Sequence, residues 1–217
     1  MSTQAPTQAW TVLAALVDLV LPRWCVGCED PGTSWCVRCR PAGGPLCTSV
    51  DEVPVLAAAR YEGAMRAALL AYKERGRRDL ARPLASALAP AVAAATVRAG
   101  RPAVLVPIPS TRAAARARGG DHVRRLARLV SRTAELTVVT ALRVRPDVQD
   151  SAGLDAVQRA ANLAGAMCAV PPGRVRSVVL LDDITTSGTT IREATRALEA
   201  VGWQVQAAAV AAVTQRR

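Results

Sequence analysis

Residues 178–191 read VVLLDDITTSGTTI. Val178 to Leu181 are apolar, Asp182 and Asp183 follow, and Ile184 precedes Thr185, Thr186, Ser187, Gly188, Thr189 and Thr190. Four successive apolar residues spell a strand buried on both faces, as in a parallel sheet. In open sheets of that kind ligands bind at the carboxyl ends of the strands, where a turn leads into a helix whose first amides have no partner. The hydroxyls and amides of residues 185–190 then suit a phosphate dianion, with Gly188 allowing the tight turn and close approach. A helix cap needs one hydroxyl and this loop has five, so capping alone does not account for it. Asp182 and Asp183, just before the cradle, suit the adjacent 2′- and 3′-hydroxyls of a ribose 5-phosphate and are placed to help hold Mg²⁺.

Outward from this stretch, strands alternate with helices. SVVLLDD is a strand, a helix runs from about Thr190 to Val201, and QVQAAAVAAV is a strand again. Upstream, PVLAAARYEG (54–63) reads as a strand, and MRAALLAYKERG and DLARPLASALAPAVAAATVRAG read as helices ending at Gly76 and Gly100. AVLVPIP (103–109) is a buried strand closed by prolines. TRAAARARGGDHVRRLARLVSRTA starts as a loop and becomes a helix, LTVVTALRV is strand-like, and DAVQRAANLAGAM reads as a helix. The alternation implies an α/β fold, a parallel sheet covered by helices on both faces. Near the start, Leu13, Leu16, Val17, Val20 and Leu21 fall at helical spacing, and Pro22 stops that amphipathic helix.

The chain has 217 residues, enough for one ordinary domain and a small appendage. Aromatics make up 3% of it, with no Phe, so the core is built from Ala, Val and Leu. A formal net charge of +11 fits a polyanionic partner, and equally a solvated surface of scattered arginines. WTVLAALVDLVL contains Asp18, is too short to cross a bilayer and lacks the flanks of a signal peptide. The expected setting is cytoplasmic, where the six Cys are thiols or metal ligands rather than disulfides.

RWCVGCEDPGTSWCVRC carries Cys25, Cys28, Cys36 and Cys39 as two C-x-x-C pairs. Four thiolates at about 2.3 Å satisfy a tetrahedral Zn²⁺ and leave no position open, so the expected site is structural. A module of this size has little to bury, and metal binding supplies its folding free energy. Cys47 is a candidate fifth ligand, and Cys168 reads as a core thiol. The expected division is a tail and helix over 1–22, a zinc-binding module over 23–50 and the main domain over 51–217.

The hydrophobic run, Asp-Asp and T-S-G-T-T together resemble the phosphoribosyl pyrophosphate signature of type I phosphoribosyltransferases. The order of Cys pairs, RYEGAMRAALLAYKERG, VPIPSTRAAARARGGDH, SAGLDAVQRAANLAGAM and the signature is similar to the ComF family of competence-associated phosphoribosyltransferase-like proteins. The resemblance implies the type I phosphoribosyltransferase fold, with Lys73 on a Tyr-Lys segment and Arg116, Arg118 and Gly119 on an R-x-R-G loop. These cations suit a pyrophosphate leaving group. Arg159 and Asn162 match an R-x-x-N element, and Thr186, Ser187, Gly188 and Thr190 match the phosphate loop. The chain departs from the family at Gly120, Asp121 and His122, where an aromatic, Asn and Gln are usual, at Ser151, and at Cys47, which stands alone.

Three functions follow as expectations. One is Mg²⁺-assisted transfer from phosphoribosyl pyrophosphate, with Asp182, Asp183, Lys73, Arg116 and Arg118 as the working residues. Another is a sensor or scaffold that keeps the phosphoribosyl site without turnover. A third, implied by the resemblance, is a role in DNA uptake or processing, with single-stranded DNA or uptake proteins as partners and Trp24 and Trp35 beside Arg23, Arg38 and Arg40 as a contact surface. Both Trp equally suit a cover for the metal, and the lone His122 reads as a surface histidine.

Overall fold

The computed structural model describes residues 23–100, 102–145 and 165–214. The amphipathic helix at 11–21, Arg159, Asn162, Ser151 and most of the helix expected over DAVQRAANLAGAM lie outside the described residues.

Six strands form the central sheet in the order β1-β2-β8-β7-β3-β4. They are β1 (Leu46–Val50), β2 (Val53–Arg60), β3 (Ala103–Pro107), β4 (Thr137–Val138), β7 (Ser177–Thr185) and β8 (Gln204–Val213). Every neighbouring pair is parallel except β1 and β2, which form an antiparallel hairpin at one edge. The first residues after the Cys-rich stretch thus belong, by hydrogen bonding, to the main sheet. A separate antiparallel pair joins β5 (Leu142–Val144) to β6 (Met167–Ala169).

The helices are α1 (Gly63–Glu74), α2 (Ala81–Ala99), α3 (Arg112–Ala117), α4 (His122–Ala134) and α5 (Thr189–Glu199). Alternate residues of the central strands point to opposite faces. Leu105, Val179 and Leu181 pack with Leu69 of α1, Leu84 and Leu88 of α2 and Leu126 of α4. Val104, Val106, Val178 and Leu180 pack on the other side with Ile191, Ala194 and Leu198 of α5. Each such buried aliphatic side chain contributes about 1.5–3 kcal/mol. The alanines of β8, among them Ala207, Ala209 and Ala211, are buried in the first cluster and leave room for α2 to lie close. With the 3₁₀ turn before it, α2 is the one helix among the described residues long and apolar enough to cross a membrane, and half of that apolar window is buried in the fold.

Three elements differ from the sequence reading. LTVVTALRV is split between two sheets: Val139 N still donates to Leu105 O, and by Ala141 the chain is bonded to Val170 instead. The basic stretch is two helices rather than a loop and a helix. Thr111 Oγ1 accepts from Ala114 N at 3.2 Å to start α3, and Asp121 Oδ1 accepts from Arg124 N at 3.0 Å to start α4. Between them Gly119 and Gly120 take φ of 65° and 129°, a reversal that other residues resist. Finally, β7 runs through the two acids to Thr185, because the long β8 continues to pair with Asp182, Ile184 and Thr185.

Candidate functional site

The chain crosses from one side of β7 to the other between β2 and β3, so β7 stands at a reversal of strand order. Asp182 and Asp183 lie in its last turns of ladder and are almost fully buried. Asp183 Oδ2 accepts from Lys73 Nζ at 2.9 Å and faces His122 Nε2 at 2.5 Å. Its own N–H donates to Asp182 Oδ1 at 2.8 Å. Lys73 comes from the last turn of α1 and His122 from the first residue of α4. Tyr72 Oη donates to the His122 carbonyl at 3.1 Å, which ties these two helix ends together. With its proton on Nε2 the imidazole donates to Asp183, and Nδ1 accepts the Ser110 hydroxyl at 3.5 Å.

His122 is therefore not a surface histidine. Its side chain is 6% exposed, and it is the residue that sequence reasoning missed. The signal available was its place in the loop after R-x-R-G, where the chain departs from the family it resembles.

Burial pushes the Asp182 carboxyl up to about 8, the Asp183 charge adds to this, and the Asp183 N–H opposes it. Asp183 goes the other way: burial disfavours its charge, but His122 and Lys73 outweigh burial and hold it well below the usual carboxylate range. Burial likewise opposes the Lys73 charge, and Asp183 reverses that and raises it above its ordinary value. At neutral pH the pair thus carries one negative charge on Asp183, with a neutral acid beside it able to donate a hydrogen bond.

Beyond the acids the chain turns through the hydroxyl loop into α5. Thr185 is buried at the end of β7, Thr186 and Ser187 are exposed, and Thr189 and Thr190 form the first turn. Ser187 Oγ lies 2.8 Å from Thr189 Oγ1. Gly188 is the N-cap residue at φ 79° and has no side chain to cap the helix, and the first amide of α5, Thr189 N, turns back to Ser187 Oγ at 3.5 Å. A Cβ on Gly188 would come within 2.5 Å of Val50, so the hairpin edge packs directly under the loop. Arg192 clamps the same hairpin through Asp51 at 2.8 and 3.0 Å.

The R-x-R-G arginines sit differently from one another. Arg118, the residue that ends α3, reaches Glu74 Oε1 at 3.6 Å, one residue from Lys73, and Arg116 projects from the last turn of α3 into solvent. Gly119 is held by Arg78, whose guanidinium donates to its carbonyl at 3.0 Å. Lys73 and Arg118 thus meet near the acid pair.

The sulfur atoms of Cys25, Cys28, Cys36 and Cys39 all lie within 4.8 Å of one another, and those of Cys28 and Cys36 are 3.7 Å apart. A tetrahedron with metal–sulfur bonds of about 2.3 Å has edges of about 3.8 Å, so the cluster fits Zn²⁺. Burial disfavours a Cys25 thiolate, but the N–H groups of Cys36, Cys28 and Gly27 outweigh it and bring the thiol down to about 6. Cys39, hydrogen-bonded by Cys36, partly desolvated and crowded by Cys28 and Cys25, is pushed up to about 12. Four thiols this close ionise together only around a cation. Trp35 is fully buried and donates through Nε1 to Cys39 O at 3.1 Å, so it covers the cluster, and Trp24 is half exposed. Cys47 lies on β1 outside the four-thiol cluster, and Cys168 is exposed on β6 rather than a core thiol.

A buried glutamate anchors the β5–β6 ribbon. Glu193 accepts from Met167 N at 2.9 Å and pairs with Arg196 at 2.7 Å, and Trp203 Nε1 donates to Val170 O at 2.8 Å. These bonds fasten the β5–β6 ribbon to α5.

A mostly parallel α/β sheet with acids on its central strand, followed by a hydroxyl loop and the start of a helix, is an arrangement suited to a phosphorylated sugar. The phosphoribosyl transferase domain model matches residues 84–217, more than half of the chain, and the chain belongs to that family. No curated protein matches it. The domain implies binding of phosphoribosyl pyrophosphate, and the four-Cys cluster beside it is compatible with structural zinc.

Proposed function

We propose that this chain binds phosphoribosyl pyrophosphate with Mg²⁺ and acts as a zinc-bearing phosphoribosyltransferase of the ComF kind. The observation that carries the reading is the continuity of β7: two buried acids lead directly into a hydroxyl loop and the first turn of α5. Thr185 to Thr190 hold the 5-phosphate, and Asp182 and Asp183 take the ribose hydroxyls and help hold Mg²⁺. Magnesium supplies charge neutralisation for the departing pyrophosphate. Lys73 and Arg118 face that leaving group, Arg116 reaches for it from the exposed end of α3, and His122 orients Asp183. The domain division that accompanies this reading is a zinc module over 23–50, whose last five residues pair as β1 into the main sheet, and a phosphoribosyl domain over 51–217, in a reducing cytoplasmic setting.

The test is calorimetric titration of phosphoribosyl pyrophosphate and Mg²⁺ into zinc-loaded protein, beside the Asp182→Asn, Asp183→Asn double variant. Micromolar binding that the variant loses is the expected result. No binding by folded wild-type protein overturns the reading.

One observation favours a sensor without turnover: Lys73, the expected leaving-group cation, is spent on Asp183 at 2.9 Å. A broad screen of nucleobase acceptors separates the two, since a sensor binds the ligand and releases no pyrophosphate. A role in DNA uptake or processing is supported by the net charge of +11 and by half-exposed Trp24 on the same module as Arg38 and Arg40. DNA affinity with a steep salt dependence, weakened in Arg38→Ala, is the outcome that role requires.

A further inference from the structure

A cavity of about 770 Å³ opens beside the acid pair and is not lined by Asp182, Asp183, Lys73 or the hydroxyl loop. It lies at the carboxyl end of β3, next to β7 in the sheet, and runs to the β5–β6 ribbon. Its walls are apolar: Pro107 and Pro109 on one side, Leu142 and Val144 on the other. Its rim is strongly basic. Arg112 of α3, Arg124 of α4 and Arg143 of β5 all line it, all are exposed, and none forms an ion pair among the described residues. The carboxylate in the lining, Asp121, is already engaged: Oδ1 accepts from Arg124 N at 3.0 Å and Oδ2 from Ser110 N at 3.4 Å.

Three guanidiniums from three different elements line this groove with no ion pair among the described residues, and like charges gathered that way are stabilised by an anion. A bare inorganic anion leaves most of the space unfilled, because a volume of this size is that of a pocket for a drug-sized ligand. Proline faces and the plane of an arginine both stack on flat rings. We infer that this groove is a second ligand site, separate from the phosphoribosyl site, and that it takes a nucleotide, with the ring between the apolar walls and the phosphate on Arg112, Arg124 and Arg143. Ser110 links the two sites, since it lines the groove and meets His122, which holds Asp183. The inference stands on this groove alone and does not need turnover at the acid pair.

The experiment titrates the four common ribonucleoside 5′-monophosphates, and the matching nucleosides, into zinc-loaded protein by calorimetry. Arg124→Gln, Arg143→Gln and Asp183→Asn are run alongside, and a phosphoribosyl pyrophosphate titration is repeated on each. At least one monophosphate binds, its nucleoside binds at least tenfold more weakly, and each arginine variant loses about tenfold in affinity for it. Asp183→Asn keeps nucleotide binding, and the arginine variants keep phosphoribosyl pyrophosphate binding. Three results overturn the inference: no monophosphate binds, monophosphate binding disappears in Asp183→Asn, or oligonucleotides bind with affinity that grows with length while monophosphates do not. Protein that binds phosphoribosyl pyrophosphate but no nucleotide sinks the groove site alone, and protein that binds neither sinks both readings.

Discussion

His122 Nε2 lies 2.5 Å from Asp183 Oδ2, the oxygen that Lys73 Nζ also reaches at 2.9 Å. One carboxylate oxygen is thus gripped from two helices, and the acid beside it, Asp182, is left to carry the proton. The electrical state of the site is set by α1 and α4 rather than by β7, on which the acids sit.

Replacing His122 by Ala removes one of the two groups that keep Asp183 ionised. Asp183 has a depressed value in the folded protein, so it contributes stability above its unfolded value and loses it as the pH falls. The variant is expected to be less stable at pH 7 by about 1–3 kcal/mol, the scale of a hydrogen bond to a buried charge. Its acid unfolding, followed by circular dichroism, should begin at a higher pH than in the wild type. An unchanged acid limb contradicts the assignment. His122→Gln, which can still donate, should recover part of the loss.

Asp182→Asn tests the neutral acid. Because burial raises Asp182 from 3.8 to about 8 in the folded protein, the wild type loses stability as the pH climbs between those values. The amide keeps an oxygen for the Asp183 N–H and has no proton to lose. Denaturant melts should show the variant matching the wild type near pH 4 and exceeding it by at least about 1 kcal/mol at pH 9. A variant with the wild-type pH slope refutes the shift.

Gly188→Ala meets two obstacles. The backbone is at φ 79°, and a new Cβ comes within 2.5 Å of Val50. Strain of this kind costs about 1–3 kcal/mol before the clash is counted. The expected outcome is a lower Tm and at least tenfold weaker phosphoribosyl pyrophosphate binding, because the first turn of α5 must shift. Val50→Ala in the same chain relieves the clash and not the φ strain, so it should restore only part of the stability.

Zinc removal should reach the acid pair. Gly27 lies against Cys39 and against Ala64 at the start of α1, Arg77 donates to Trp24 O at 3.4 Å, and the other end of α1 carries Lys73. Chelation, or Cys36→Ser, is expected to unfold the module around the four cysteines and to weaken phosphoribosyl pyrophosphate binding severalfold, with the sheet intact by circular dichroism. Equal affinity with and without zinc means the module and the site are independent.

Much of this architecture is legible in the chain because it is local. Runs such as AVLVPIP and VVLLDD are apolar at successive positions, which suits a strand covered on both faces, and α1 and α2 ahead of them end beside Gly76 and at Gly100. The four thiols announce themselves by spacing, since two C-x-x-C pairs bring donors together over a few residues. The hydroxyl loop is equally plain: five hydroxyls and a glycine after a buried strand have little use except an anion. What the tertiary structure alone decided is which distant groups meet. His122 comes to Asp183 across 61 positions of sequence, and Lys73 across more than a hundred, and no pattern near either residue signals it. The same holds for Val50 beneath Gly188 and for Arg112, Arg124 and Arg143 around one groove. Such pairings depend on how whole helices pack over the sheet, and a buried charge takes its character from whatever that packing brings within hydrogen-bond reach.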